Sequence, residues 1–391
     1  MNKLTELSYC YGCSVCASAC PKGCITMHTD TEGFYRPKVN EEACVNCGLC
    51  TAVCAFYAQK VAQNRNFKIQ NYAVWSKNSY IRNRCTSGGV SFEIGRYLIQ
   101  KGFKAIVCKY NPETKHAEHY MAKTEFELEQ SIGSKYIQSN AFPGFSQIKK
   151  GNKYFITGTP CQIDSIRRWT HKCGMEQNVI LLDFFCHGVP SDLMWQQYLR
   201  EIETEIGEFS EIAWRNKETG WHDSWVMKVG DRYSSWFSRG DLFYQMFLGN
   251  RCLGRQCYYD CKYKYNRSAA DIRIGDLWGR KYAKDENGVN GVICFTQEGA
   301  NLLAEMKDIL HIVPSSIEIV TEAQMKQCAH KPISHMYVMK SLKEKRPLAE
   351  IHAKASRIEI LERVPNKIKY YFLRIPSKVL EVVGLKTKPL L

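Results

Sequence analysis

From residue 90 to residue 206 short apolar runs alternate with longer stretches of helical period, and that alternation predicts an α/β fold. Residues 105–107, 154–157 and 179–182 are apolar runs of the length of buried strands. Val90–Gln100, with apolar positions at Val90, Phe92, Ile94, Tyr97 and Leu98, reads as a helix, as do residues 162–169 and Asp192–Ile206. Near the end, residues 354–383 alternate Lys and Arg with Ile, Leu, Val, Tyr and Phe, interrupted by Pro365 and Pro376. That pattern predicts two or three short basic amphipathic helices, able to rest on an anionic membrane surface or to dock on protein. No stretch approaches the roughly 18–20 uninterrupted apolar residues of a membrane span.

The first 54 residues follow a different rule. Cys10, Cys13, Cys16 and Cys20 are spaced x2, x2, x3 with Pro21 after them, and Cys44, Cys47, Cys50 and Cys54 repeat the spacing. A doubled run of this kind holds two [4Fe-4S] clusters in bacterial-type ferredoxins, the last Cys of each run serving the other cluster. Cys10, Cys13, Cys16 and Cys54 are therefore expected around one cube, and Cys44, Cys47, Cys50 and Cys20 around the second. Ala55 stands where a Pro would complete the second run, and Cys24 lies outside the pattern as a small hydrophobe. A single tetrahedral zinc site or a secreted disulfide framework fits two complete runs poorly.

Composition adds a compartment and removes a class. Nineteen cysteines in 391 residues is an odd count, and thiolate clusters need reducing surroundings, so the cytoplasm is the expected location. The first ten residues show no signal-peptide pattern. The net charge of +15 is uneven: residues 331–391 carry 14 Lys and Arg against five Asp and Glu. No nucleic-acid motif accompanies that basic end, so nucleic acid is not an expected partner. The inner membrane surface is a candidate contact for it.

Two loops stand at helix starts, Cys85 to Gly89 and Gly158 to Gln162. Small residues there let backbone N–H groups approach a phosphate, although Gly and Ser also make ordinary turns and caps. No G-x-G-x-x-G or Walker loop is present, which argues against a Rossmann or NTPase site.

The ferredoxin pair, Arg84 to Val90, Gly133 to Tyr136, Gly158 to Gln162, Asp183 to Pro190 and Asp271 to Gly279 follow one another in an order that resembles the coenzyme F420 hydrogenase/dehydrogenase beta-subunit family. The resemblance covers roughly residues 1–300. That family is also similar to 7-hydroxymethyl chlorophyll a reductase and to proteins found among bacterial surface-polysaccharide genes. It implies an iron-sulfur flavoprotein oxidoreductase containing FAD, with a redox partner protein (a ferredoxin or a hydrogenase/dehydrogenase-type subunit) or a small-molecule hydride carrier. A non-catalytic relay subunit is the alternative. The implied organisation is an α+β ferredoxin-like dicluster domain over residues 1–62, a larger α/β flavin-binding domain over 68–330 and a basic helical tail over 331–391.

By the same resemblance, the FAD phosphates are expected near Ser87, Gly88, Gly89 and Lys135, with Thr159, Pro160, Cys161 and Gln162 along the flavin ring. Lys135 could instead be a solvated surface cation. His187 is a candidate proton donor, because His titrates near neutral pH, or a buried His satisfying backbone groups. A third [4Fe-4S] cluster is implied near Cys257 and Cys261, which stand x3 apart where the family commonly has C-x2-C. Cys186 joins them, with Cys161 or Cys252 as the fourth ligand; free buried thiols are the alternative. Cys85, Cys108, Cys173, Cys294 and Cys328 read as isolated structural residues.

Overall fold

Each cysteine run enters a four-residue helix, Val15–Ser18 or Leu49–Ala52, through two left-handed residues. They are Gly12 (φ 66°) and Ser14 (φ 63°) in the first run, and Asn46 (φ 53°) and Gly48 (φ 75°) at the matching places in the second. The backbone thus repeats along with the spacing. Strands β1 (Ile25–Thr29) and β2 (Tyr35–Val39) pair antiparallel between the runs, in the register Ile25 to Val39. The computed structural model describes residues 4, 7–63, 66–324 and 326–363, with the side chains of 361–363 left aside.

Beyond this unit lies a sheet of β3 (Gln70–Ser76), β4 (Lys104–Asn111), β5 (His116–Ala122), β6 (Ser139–Asn140), β7 (Tyr154–Thr157), β8 (Val179–Phe184), β11 (Ile272–Asp276), β12 (Asn290–Cys294) and β13 (Leu310–Pro314). Its order is β13-β3-β12-β11-β8-β7-β4-β5-β6. Strands β4, β7, β8 and β11 are parallel, and β12 runs against both β11 and β3, so β3 shares their direction. All three apolar runs of the sequence lie within β4, β7 and β8.

Side chains alternate across this sheet as a two-sided strand requires. On β7, Tyr154 and Ile156 pack under the helix Pro160–Lys172, through Ile163 and Ile166. Phe155 points the other way, toward Val90, Ile94 and Leu98 of the helix Val90–Gln100. Both layers are buried, which explains why these strands read as continuous apolar runs rather than as alternating ones. The ferredoxin unit joins the first layer through Val15, Ala19 and Val53.

The remaining chain forms an aromatic core around Trp195, Trp214, Phe243 and Phe247. The helices Asp192–Ile206, Leu242–Leu248, His335–Lys343 and Leu348–Arg363 meet there with the hairpin of β9 (Val226–Val229) and β10 (Tyr233–Trp236). Leu348, Ile351 and Ala355 are buried in it, and Arg251 grips Glu359 at 2.7 Å. The start of the basic end therefore docks on the protein's own core, while residues 364–391 lie outside the described residues. Among the described residues no helix is long and apolar enough to cross a membrane.

Candidate functional site

Cys10, Cys13, Cys16 and Cys54 line one open cavity of ≈ 360 Å³, together with Tyr11 and Phe56. The left-handed Gly12 turns its N–H back onto Cys10 Sγ at 3.3 Å. Burial first, then the neighbouring thiol charges, push Cys13 up to about 12 and Cys16 well above its ordinary value. Four thiols that cannot share negative charge on their own suit a cationic core among them. A second cavity of ≈ 320 Å³ is lined by Cys20, Cys44, Cys47 and Cys50. Cys24 lines it too, with its Sγ 3.4 Å from Cys20 Sγ, so it is more than a hydrophobe outside the pattern. Cys47 is exposed, so this cavity faces the surface. Among the described residues no three His, Cys, Asp or Glu groups close on a single ion.

A further set of thiols meets beside the first cavity. Cys161 sits in the first turn of the helix Pro160–Lys172, Cys186 follows β8, Cys257 lies in the helix Arg255–Tyr259 and Cys261 just after it. Burial pushes Cys161 up, and the charges of Cys186, Cys13 and Cys257 add to it. Burial, Cys186 and Cys261 hold Cys257 up at about 12. Of the two candidates for fourth place, Cys161 is therefore here, whereas Cys252 is sealed in the aromatic core. Sequence reasoning missed Cys328, whose Sγ donates to the Cys261 carbonyl at 3.1 Å. A separation of 67 residues carries no spacing signal. One layer of side chains divides this set from the first cavity: Cys13 Sγ donates to Ser165 Oγ at 3.5 Å, one turn beyond Cys161, and Tyr11 OH donates to the Asp260 carbonyl at 2.7 Å.

The loops expected to hold the flavin gather at one edge of the sheet, where β3, β7, β8 and β11 end. Ligands of parallel sheets bind at this edge. The Ser76 N–H donates to the Gly88 carbonyl at 2.8 Å, which brings the Cys85 to Gly89 loop there. Gly88 has no room for a side chain, since a Cβ would stand 2.7 Å from the Val74 carbonyl. Gly89 (φ 82°) precedes the helix Val90–Gln100, and Ser87 Oγ donates to the Val289 carbonyl at 2.9 Å. Gln162 Oε1 accepts from Thr159 N at 2.9 Å and Oγ1 at 3.0 Å, with Pro160 opening the helix, so these residues form an N-terminal cap whatever else they do.

Lys135 is not a solvated cation. Its Nζ donates to the carbonyls of Ser131, Ile132 and Gly133 at 2.9–3.0 Å, and burial pushes it down to about 8. Lys217, unmarked by any motif, donates to the carbonyls of Arg82 and Ser87 at 2.7 and 2.8 Å and is likewise pushed down by burial to about 8. Two cations thus flank the Cys85 to Gly89 loop. His187 is buried, as one of its two readings has it: burial, aided by the Lys264 charge, pushes it down to about 4, and its ring meets Phe247 edge-on at 4.9 Å. At neutral pH it is uncharged. The Asp183 to Pro190 and Asp271 to Gly279 segments act as a frame, because Asp183 binds Arg273 through two 2.7 Å bonds and Asp271 Oδ2 accepts from Leu181 N at 2.7 Å.

A dicluster ferredoxin unit packed against a parallel-stranded sheet, with more cysteines between them, defines the class: an iron-sulfur electron-transfer protein of the oxidoreductase type. Residues 9–58 match the profile of the 4Fe-4S dicluster domain, and residues 151–318 match that of the C-terminal region of the coenzyme F420 hydrogenase/dehydrogenase beta subunit. Over residues 151–318 the chain is thus similar to the coenzyme F420 hydrogenase/dehydrogenase beta-subunit family. A chain of the F420-reducing [NiFe] hydrogenase complex from Methanosarcina barkeri is similar in structure, with 15% identity, 77% of this chain and 94% of that chain covered, and a TM-score of 0.48. No curated protein matches the chain.

Proposed function

We propose that this chain is an iron-sulfur flavoprotein subunit that passes electrons between a redox partner and a hydride-type donor or acceptor. In this reading Cys10, Cys13, Cys16 and Cys54 hold one [4Fe-4S] cube and Cys20, Cys44, Cys47 and Cys50 a second. Cys161, Cys186, Cys257 and Cys261 hold a third, and FAD lies at the carboxyl edge of the sheet. Iron-sulfur cubes exchange single electrons, and a flavin couples them to two-electron hydride chemistry.

The observation that carries the reading is Cys54 standing in the cavity of Cys10, Cys13 and Cys16, the crossed pairing that two cubes require. The exposed Cys47 side is the face open to a protein partner. Tyr11 and Ser165, both buried, lie between the first cavity and the third thiol set. Gly88 and Gly89 let the loop lie close to β3, while Lys135 and Lys217 supply positive charge for a diphosphate. Neutral His187 can donate an N–H without changing charge.

Anaerobically prepared protein should contain about twelve irons per chain, about eight of them in the ferredoxin unit, and should retain FAD after reconstitution. Cys47→Ala should remove about four irons. Stoichiometric zinc with iron near zero would overturn the cluster assignment, and failure to retain any flavin would overturn the FAD assignment. Flavin turnover of a small hydride donor by the isolated chain would separate an enzyme from a relay subunit.

A further inference from the structure

Lys264 is only 4% exposed, and among the described residues its Nζ donates to the carbonyls of Cys186, at 2.6 Å, and His187, at 3.0 Å. Among the described residues it has no carboxylate partner. A buried ammonium held only by carbonyl dipoles is costly unless an anion lies close by. Its Nζ lies against the backbone of Cys186 and His187, and Cys261 precedes it by three residues, so the thiols of the third set are its neighbours. Arg273 also reaches this place, but Asp183 neutralises it through two 2.7 Å bonds. Among the described residues, Lys264 is thus a buried cation beside these thiols whose charge no carboxylate offsets.

We propose that Lys264 is the counter-charge of the third thiol set, stabilising the more negative, reduced state of a [4Fe-4S] cube held there and so raising its reduction potential. The inference rests on the third-cluster reading above. Net charge and exposure are among the terms that set the potential of such a site. Burial of these thiols works against added negative charge, and a fixed ammonium works for it. The equilibrium is a one-electron exchange, with dithionite as the reductant in the test, and no bond is made or broken. Lys264 acts through its charge and is a positioning residue.

The test uses the full chain, prepared anaerobically, as Lys264→Met and Lys264→Arg beside the unaltered protein. Iron is counted and each cluster signal is titrated by electron paramagnetic resonance. With about twelve irons in all three proteins, Lys264→Met should move one of three signals to lower potential by at least tenfold in the exchange constant, 59 mV for one electron. Lys264→Arg should hold it near the original value, and the other two signals should not move. Loss of about four irons in Lys264→Met alone would equally support the counter-charge. About twelve irons with three unmoved signals would overturn this inference and leave the third cluster standing, as would equal iron loss in both variants. About eight irons in the unaltered chain would instead overturn the third-cluster reading on which it rests.

Discussion

His119 is nearly sealed from water, with Nε2 donating to the Thr157 carbonyl at the end of β7, 3.1 Å away. Burial, with a small contribution from the Lys135 charge, pushes its titration down to about 4 against the backbone bond that favours the charged form. The unfolded chain binds that proton near pH 6.5, so lowering pH from 6.5 toward 4 draws the protein toward the unfolded state. The loss is of order 3 kcal/mol by pH 4, following about 1.4 kcal/mol per pH unit per proton. Urea unfolding measured across this window should show His119→Gln losing less stability than the unaltered chain as pH falls. Equal slopes in the two proteins would mean that another group takes the proton. A sequence reader sees only a histidine between Glu118 and Tyr120; the burial that changes its chemistry comes from β4, β7 and the Phe145 ring.

Among elements, the two cysteine loops are near copies in backbone and unlike in surroundings. A Cβ on Gly12 would stand 2.5 Å from Gln138 Nε2 and 2.7 Å from the Tyr35 carbonyl, whereas one on Gly48 meets nothing within 4 Å. Both positions are left-handed, which costs a side-chain-bearing residue roughly 1–2 kcal/mol. Gly48→Ala should lose about that much, and Gly12→Ala clearly more, because the Tyr35 backbone must also move. Urea midpoints together with iron content measure the difference; equal losses would show that the approach of Gln138 and Tyr35 does not matter. The cysteine spacing was open to reading from the chain, and so were the helices Val90–Gln100 and Asp192–Ile206, whose ends the structure matches. The left-handed turns were half hidden, since Ser14 and Asn46 do at two places what Gly12 and Gly48 do at the others.

At the scale of the whole molecule, the ferredoxin unit is wired to the sheet domain through backbone groups. Ala55 N donates to Ser165 Oγ at 3.1 Å, Lys262 Nζ to the Ala55 carbonyl at 2.6 Å and Ser191 Oγ to the Glu32 carbonyl at 2.6 Å. Phe34 is buried in the aromatic core of the larger part. All eight Trp residues lie beyond residue 62, so their fluorescence reports the larger part alone. Anaerobic urea unfolding followed by Trp fluorescence and by iron-sulfur absorbance should therefore give coincident transitions. Visible absorbance lost well before the fluorescence change would show two units that unfold separately.

Short-range order in the chain determined a great deal: the x2, x2, x3 spacing specified which thiols share each ferredoxin cavity, and apolar runs specified β4, β7 and β8. Such signals work because a tight loop or a strand places neighbours a few residues apart in nearly one way. The third thiol set had to wait for the tertiary structure. Cys161, Cys186, Cys257, Cys261 and Cys328 come from segments up to 167 residues apart, and their meeting depends on β7, β8 and β11 lying side by side. The same packing put Cys252 in the aromatic core and buried Lys264 with no carboxylate partner among the described residues. Burial and the company a charge keeps are properties of packed neighbours, and no spacing along the chain encodes them.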